Sequence, residues 1–199
     1  MAIGESMRLE GSARAAARTD PAPGRGITAG AAKVLAVFRV VLGFEFLWAF
    51  LDKTFGLGYA TPAARAWING GSPTKGFLSS VEVGPFQSLF HSMAGTWWAN
   101  WLFMLALLGI GVAVMAGVAL RAAAVAGVVV LALMWLAEFP LAQTTSAGAP
   151  SMSSNPLIDY HVIYAISLVV VAVTSAGLTW GLSRAWSELP FVRDHRWAL

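Results

Sequence analysis

Four stretches of the chain are almost continuously apolar: residues 34–55, 98–120, 122–139 and 156–180. At 1.5 Å per residue, runs of about 18 to 24 residues cover roughly 27 to 36 Å, enough to cross a hydrocarbon core with some tilt. The pattern predicts an all-α integral membrane protein, a four-transmembrane-helix bundle joined by two long connections and one tight turn at Arg121. The first long connection, residues 56–97, has a pattern of its own. Thr61-Pro62 reads as a helix cap followed by proline at the first helical position, and Asn69-Gly70-Gly71 as a stop. Pro85 then opens a short segment with Phe86, Leu89, Phe90 and Met93 at helical spacing, which fits a short interfacial helix on the bilayer surface or over the bundle mouth. Trp97, Trp98 and Trp101 open the second span at interface level. The second long connection, residues 140–155, is polar, and Asn155-Pro156 reads as the cap and first residue of the last span. The membrane domain is thus expected over residues 33–183.

Composition strengthens this reading. Of 199 residues, 57% are hydrophobic and 12% charged, against about 25% charged in a soluble domain, so lipid must do the wrapping. Cysteine is absent, which rules out a disulfide framework, an iron–sulfur cluster and any thiol mechanism within this subunit. Residues 1–32, rich in Ala, Gly, Pro and Arg, lack the apolar run of a secretory signal and read as a disordered cytoplasmic tail with a transient helix near 13–18. Lys and Arg set the orientation. Arg8, Arg14, Arg18, Arg25, Lys33, Arg121, Arg184, Arg193 and Arg196 flank one side, and only Lys53, Arg65 and Lys75 the other. Both termini, including a tail at 184–199, are therefore expected in the cytoplasm, with the long connections facing outward. These basic residues are topology signals; no nucleic acid partner is expected. Ala113-x-x-x-Gly117 and Gly177-x-x-x-Gly181 would let helices approach closely.

Charged groups in a membrane are costly and usually face a bundle interior or a wet cavity. Asp52 and Lys53 close the first span, Glu138 the third, and Asn155, Asp159 and His161 begin the fourth. Five ionisable groups from three helices therefore fall at one outer level. Glu45 lies about 10 Å deeper on the Asp52 face of its helix, because seven residues nearly complete two turns. There it must be neutral, paired or next to water. Arg39 lies close to where snorkelling still reaches the inner surface. His161 follows Asp159 by two residues, about 200° around a helix, so the pair is not expected to chelate a metal, and no metal is expected. Trp48 and Trp135 add flat aromatic surface that suits a lipid-soluble ring such as a quinone.

Three segments carry a family resemblance. Phe38-Arg39-Val40-Val41-Leu42-Gly43-Phe44-Glu45-Phe46-Leu47 followed by Lys53 resembles the first helix of DoxX/DoxD membrane proteins. Residues 67–78, from Trp67 through Asn69-Gly70-Gly71-Ser72-Pro73 to Leu78, resemble the first external loop of the DoxD-like branch, and Asn155-Pro156-Leu157-Ile158-Asp159-Tyr160-His161 the entrance to its last helix. The resemblance implies a bacterial cytoplasmic-membrane subunit of sulfur and redox metabolism, passing electrons from thiosulfate or another small sulfur compound to quinone. Glu45, Glu138, Asp159 and His161 would then relay protons, while Arg39, Asp52, Lys53, Trp48, Trp135 and Asn155 would line the substrate and quinone sites. A soluble DoxA-like domain is not fused to this chain, so a second redox subunit or soluble partner would complete the reaction, and a homo-oligomer is compatible with the plan. The alternatives are a non-enzymatic scaffold or anchor for a redox or stress-protection complex, and a transporter.

Overall fold

A computed structural model of the chain describes residues 26–151 and 153–198. The expected tail at 1–25 lies outside the described residues. The fold is helical throughout; among the described residues the only β pairing is an isolated bridge between Thr144 and Pro150. Four long helices form the body: α1 (Ala29–Phe55), α4 (Trp97–Ala116), α5 (Leu120–Glu138) and α6 (Tyr160–Val173). Two short helices, α2 (Lys75–Ser79) and α3 (Gln87–Met93), lie in the first connection, and α7 (Ser183–Ser187) and α8 (Pro190–Asp194) follow the bundle.

α1, α4 and α5 are long and apolar enough to cross a membrane. α6 is apolar but shorter. It starts four residues later than Asn155-Pro156 predicts, because Asp159 takes the cap and accepts the Val162 N–H at 3.2 Å. Asn155 instead closes a tight local turn, its Oδ1 accepting the N–H groups of Leu157 (2.9 Å) and Ile158 (3.0 Å). α6 also ends early, at Val173; Ser175 is left-handed (φ 50°), and a 3-10 turn over Ala176–Leu178 continues the path. α1 starts at Ala29, earlier than the pattern predicts, because Thr28 caps it through the Ala31 N–H.

The helices pack as α1 on α4, α4 on α5 and α5 on α6, with only a shallow contact between α1 and α6. Leu42, Phe46, Met104, Leu107, Ile110, Leu131 and Leu168 form the core. Val37, Val41, Leu105, Val129 and Ile166 remain exposed around the perimeter, where lipid rather than protein would cover them. The α1–α4 crossing rests on two glycines. A Cβ on Gly43 would come within 2.6 Å of the Met115 nitrogen, and one on Gly111 within 2.7 Å of the Leu47 nitrogen. Of the small-residue motifs seen in the sequence, Gly117 and Gly177 do meet: a Cβ on Gly117 would sit 2.8 Å from the Gly177 Cα.

The two ends of the bundle differ. At the turn end, Gly117 and Ala119 reverse the chain between α4 and α5 in left-handed backbone (φ 74° and 46°). The segment after α6 folds back here through Leu182 N–H to the Ala116 carbonyl (2.8 Å) and closes on itself through Trp186 Nε1–H to the Ala198 carbonyl (2.6 Å). The other, loop end carries both long connections. There Thr61-Pro62 starts a 3-10 turn over Ala63–Arg65 rather than an α-helix, and Trp67–Asn69 forms another that stops at Gly70 (φ 83°). α3 buries Phe90 against Val81 and Ala137, so it covers the end of α5. Buried Asn100 at the start of α4 pins the connection: its Oδ1 accepts from Ser72 Oγ (3.0 Å), Thr74 N–H (3.1 Å) and Thr74 Oγ1 (2.7 Å).

Candidate functional site

At the loop end, the close of α5 and the start of α6 bring five polar groups together. His161 is 1% exposed. Its Nδ1 lies 2.9 Å from Asp159 Oδ2, and its Nε2, buried and without a hydrogen-bond partner, lies 4.0 Å from Glu138 Oε1. The Tyr160 hydroxyl donates to the same Glu138 oxygen at 2.8 Å. Trp135, one turn back on α5, also has a buried indole N–H without a partner. α5 stops here because Phe139 adopts a left-handed conformation (φ 43°, ψ 64°), a backbone state that costs a non-glycine residue about 1 to 3 kcal/mol and tends to gather at functional sites.

The sequence argument that two-residue spacing keeps Asp159 and His161 apart does not hold. It assumes that both are helical. Asp159 is the extended cap (φ −115°, ψ −169°), so its carboxylate turns back alongside the helix and reaches the His161 ring and the Val162 N–H together. Ligand atoms of Glu138, Asp159 and His161 all lie within 4.8 Å of one another. Above them opens a cavity of about 520 Å³. Glu82, Glu138, Asp159, Tyr160 and Asn155 contribute to its polar wall, and among the described residues no Lys or Arg lines it.

The other expected site residues lie elsewhere. Asp52 is buried but serves the fold: its two carboxylate oxygens accept the backbone N–H groups of Tyr59 (3.3 Å) and Ala60 (3.1 Å), drawing the chain back over the end of α1. Lys53 is half-buried beside it, and Arg65 and Lys75 are exposed; none of the three lines the cavity. Trp48 packs on Phe44 and edge-on against Tyr59. Arg39 is wholly buried near the turn end, where Nη1 donates to the carbonyls of Val114 (2.7 Å) and Met115 and Nη2 to that of Trp180 (3.0 Å). It closes the carbonyl end of α4.

Glu45 also departs from expectation. It shares a helix face with Asp52, but whereas Asp52 is buried Glu45 is exposed. Tyr164 on α6 lies within electrostatic reach of it, where α1 and α6 make only light contact. Tyr164 in turn stands edge-on to Tyr160, ring centres 6.2 Å apart. Sequence reasoning passed over both tyrosines. The signal was there: the chain has three tyrosines, and two stand one turn apart at the start of an otherwise apolar span.

Compared with protein-family models, curated proteins and solved structures, the chain matches none. The case for a function therefore rests on its own residues.

Proposed function

We propose that the chain is a four-span redox subunit of the bacterial cytoplasmic membrane, both termini cytoplasmic, that takes quinone from the bilayer at the α1–α6 groove. One observation carries this reading: a carboxyl, Glu45, is exposed on the apolar flank of α1 with the Tyr164 phenol within electrostatic reach. An exposed carboxyl at mid-span is expensive against lipid tails and marks a functional site by default. A quinone ring suits the place. It arrives through the hydrocarbon, its carbonyl oxygens accept hydrogen bonds from a phenol or a protonated carboxyl, and aromatic Phe44 and Trp48 flank the approach. The order of helix packing leaves α1 and α6 in only light contact.

Reduction of quinone to quinol consumes two electrons and two protons. Glu45 and Tyr164 are placed to exchange the protons. The electrons come from a second subunit or a soluble redox partner, since no cysteine is present to carry them. The charge of the mouth cavity bears on the donor. Its acidic wall repels thiosulfate, so a sulfur oxyanion would be oxidised on the partner rather than in this cavity.

The test is binding of a short-chain ubiquinone or menaquinone to the purified chain in lipid nanodiscs, followed by tryptophan quenching. Glu45→Gln and Tyr164→Phe should each weaken binding by roughly tenfold, the loss of one hydrogen bond in an apolar site, with the melting profile unchanged. Wild-type affinity in both variants would remove the groove as the site. A stoichiometric protein partner with no bound quinone after mild solubilisation would favour the scaffold reading instead.

A further inference from the structure

We propose that the loop-end cluster is a binding site for a divalent transition-metal ion of the zinc class, with His161 Nε2 and a Glu138 oxygen as its protein ligands. The proposal is independent of the quinone groove and draws on different residues.

The imidazole is the starting point. Asp159 Oδ2 lies 2.9 Å from Nδ1 and, as a carboxylate, can only accept, so Nδ1 carries a hydrogen, and in the neutral ring Nε2 presents its lone pair. That lone pair is buried, has no partner, and faces Glu138 Oε1 across 4.0 Å. Glu138 Oε1 already accepts from the Tyr160 hydroxyl, whereas His161 Nε2 has no hydrogen-bond partner, a costly arrangement for a buried nitrogen. A cation between them would satisfy the nitrogen and use a remaining lone pair of the Glu138 carboxylate. Zinc bonds to nitrogen and to carboxylate oxygen are each about 2.0 to 2.2 Å, so the present separation spans an ion bound almost linearly. Tetrahedral geometry needs the Glu138 oxygen about half an ångström closer, a small adjustment for a side chain that is itself exposed.

The surroundings have the form of a metal site. Asp159 backs the ligating histidine through the far ring nitrogen, the arrangement that fixes tautomer and ring plane in metal centres. Asp159 is itself held by the Val162 N–H as the helix cap, so the backing group is rigid. Tyr160 donates to Glu138 and orients the second ligand. Glu138 and Asp159 line the cavity while His161 lies behind them, and Glu82 adds a further negative charge to a wall that carries no Lys or Arg among the described residues. A nitrogen ligand selects zinc, cobalt or nickel over magnesium or calcium, which take oxygen sets. With two protein ligands, micromolar affinity is expected.

Cobalt(II) alone is the probe. The full chain in nanodiscs, stripped with chelator, is titrated with Co²⁺ while d–d absorption is followed, and zinc is then added in competition. One ion should bind per chain, displaced by zinc and unaffected by excess magnesium. Glu138→Gln and His161→Ala should each weaken binding at least tenfold, and Asp159→Asn by about 10 to 100-fold through loss of the backing carboxylate. Glu138 is exposed and its glutamine variant keeps an acceptor for Tyr160, so that variant remains decisive if His161→Ala fails to fold. Absence of Co²⁺ binding to wild type below about 1 mM overturns the proposal. So does wild-type binding in Glu138→Gln, which would place the ion on His91 or His195. Neither result bears on quinone binding at the groove.

Discussion

Replacing Arg39 with methionine tests the claim that this residue holds the bundle together. Methionine keeps most of the aliphatic stem and removes only the charged head. The guanidinium is 0% exposed and donates to the carbonyls of Val114, Met115 and Trp180. Two of these belong to the last turn of α4, where a cation also complements the helix dipole. Each hydrogen bond to a charged group is worth about 1.5 to 3 kcal/mol, and each orphaned buried carbonyl adds a penalty of similar size. Against this, the variant no longer buries a charge, and polar contacts in membrane proteins average well under their aqueous values because the denatured chain in lipid finds other partners. The balance is a loss of about 3 kcal/mol. Reversible unfolding in mixed micelles measures it. Arg39→Lys should recover part of the loss, since an ammonium keeps the charge but cannot reach three carbonyls from one plane. A stability change below about 1 kcal/mol in Arg39→Met would refute the clamp, because surface substitutions without a structural role fall in that range.

Two further outcomes follow from packing at the other contacts. Gly111→Leu should destabilise by roughly 3 kcal/mol or more, because its Cβ alone would stand 2.7 Å from the Leu47 nitrogen and α1 must move off α4; an unchanged melting temperature would refute the glycine-mediated crossing. Asn100→Leu should cost about 2 kcal/mol by leaving the Thr74 N–H and two hydroxyls without their common acceptor, and faster hydrogen exchange at Thr74 with little change at Met104 would localise the effect to the loop.

The long apolar runs disclosed α1, α4 and α5 to within a few residues, because hydropathy alone decides whether a segment can cross lipid. They overstated α6. Residues 174–180 carry no charge and so do not mark a boundary in the sequence, yet the close meeting of Gly117 and Gly177 and the Ser183 Oγ bond to the Gly117 carbonyl (2.5 Å) bend the chain away from helix there. Those are contacts between segments some sixty residues apart, and no local pattern encodes them. Arg39 shows the same gap. Its depth could be counted from the sequence, but its partners are backbone carbonyls, which every residue possesses and no residue advertises.

The loop-end cluster was half legible for a more specific reason. Grouping Glu138, Asp159 and His161 required only depth, and depth follows from counting residues along each helix. Deciding whether they touch required knowing where α6 begins. Asn155 and Asp159 are both competent caps, and Asn155-Pro156 is the stronger local signal. Choosing Asn155 makes Asp159 helical and points it away from His161. The later start instead satisfies Asn155 with its own turn, frees Asp159 to cap, and turns one carboxylate toward both the helix amides and the imidazole. A shift of four residues in a helix boundary therefore converts two separated side chains into an oriented pair. The boundary is the informative quantity: Asp159→Asn should preserve the cap and the start of α6 while weakening the hold on the His161 ring, whereas Asp159→Ala should loosen both. If amide exchange at Val162 were equal in the two variants, the cap and the imidazole contact would not share this carboxylate.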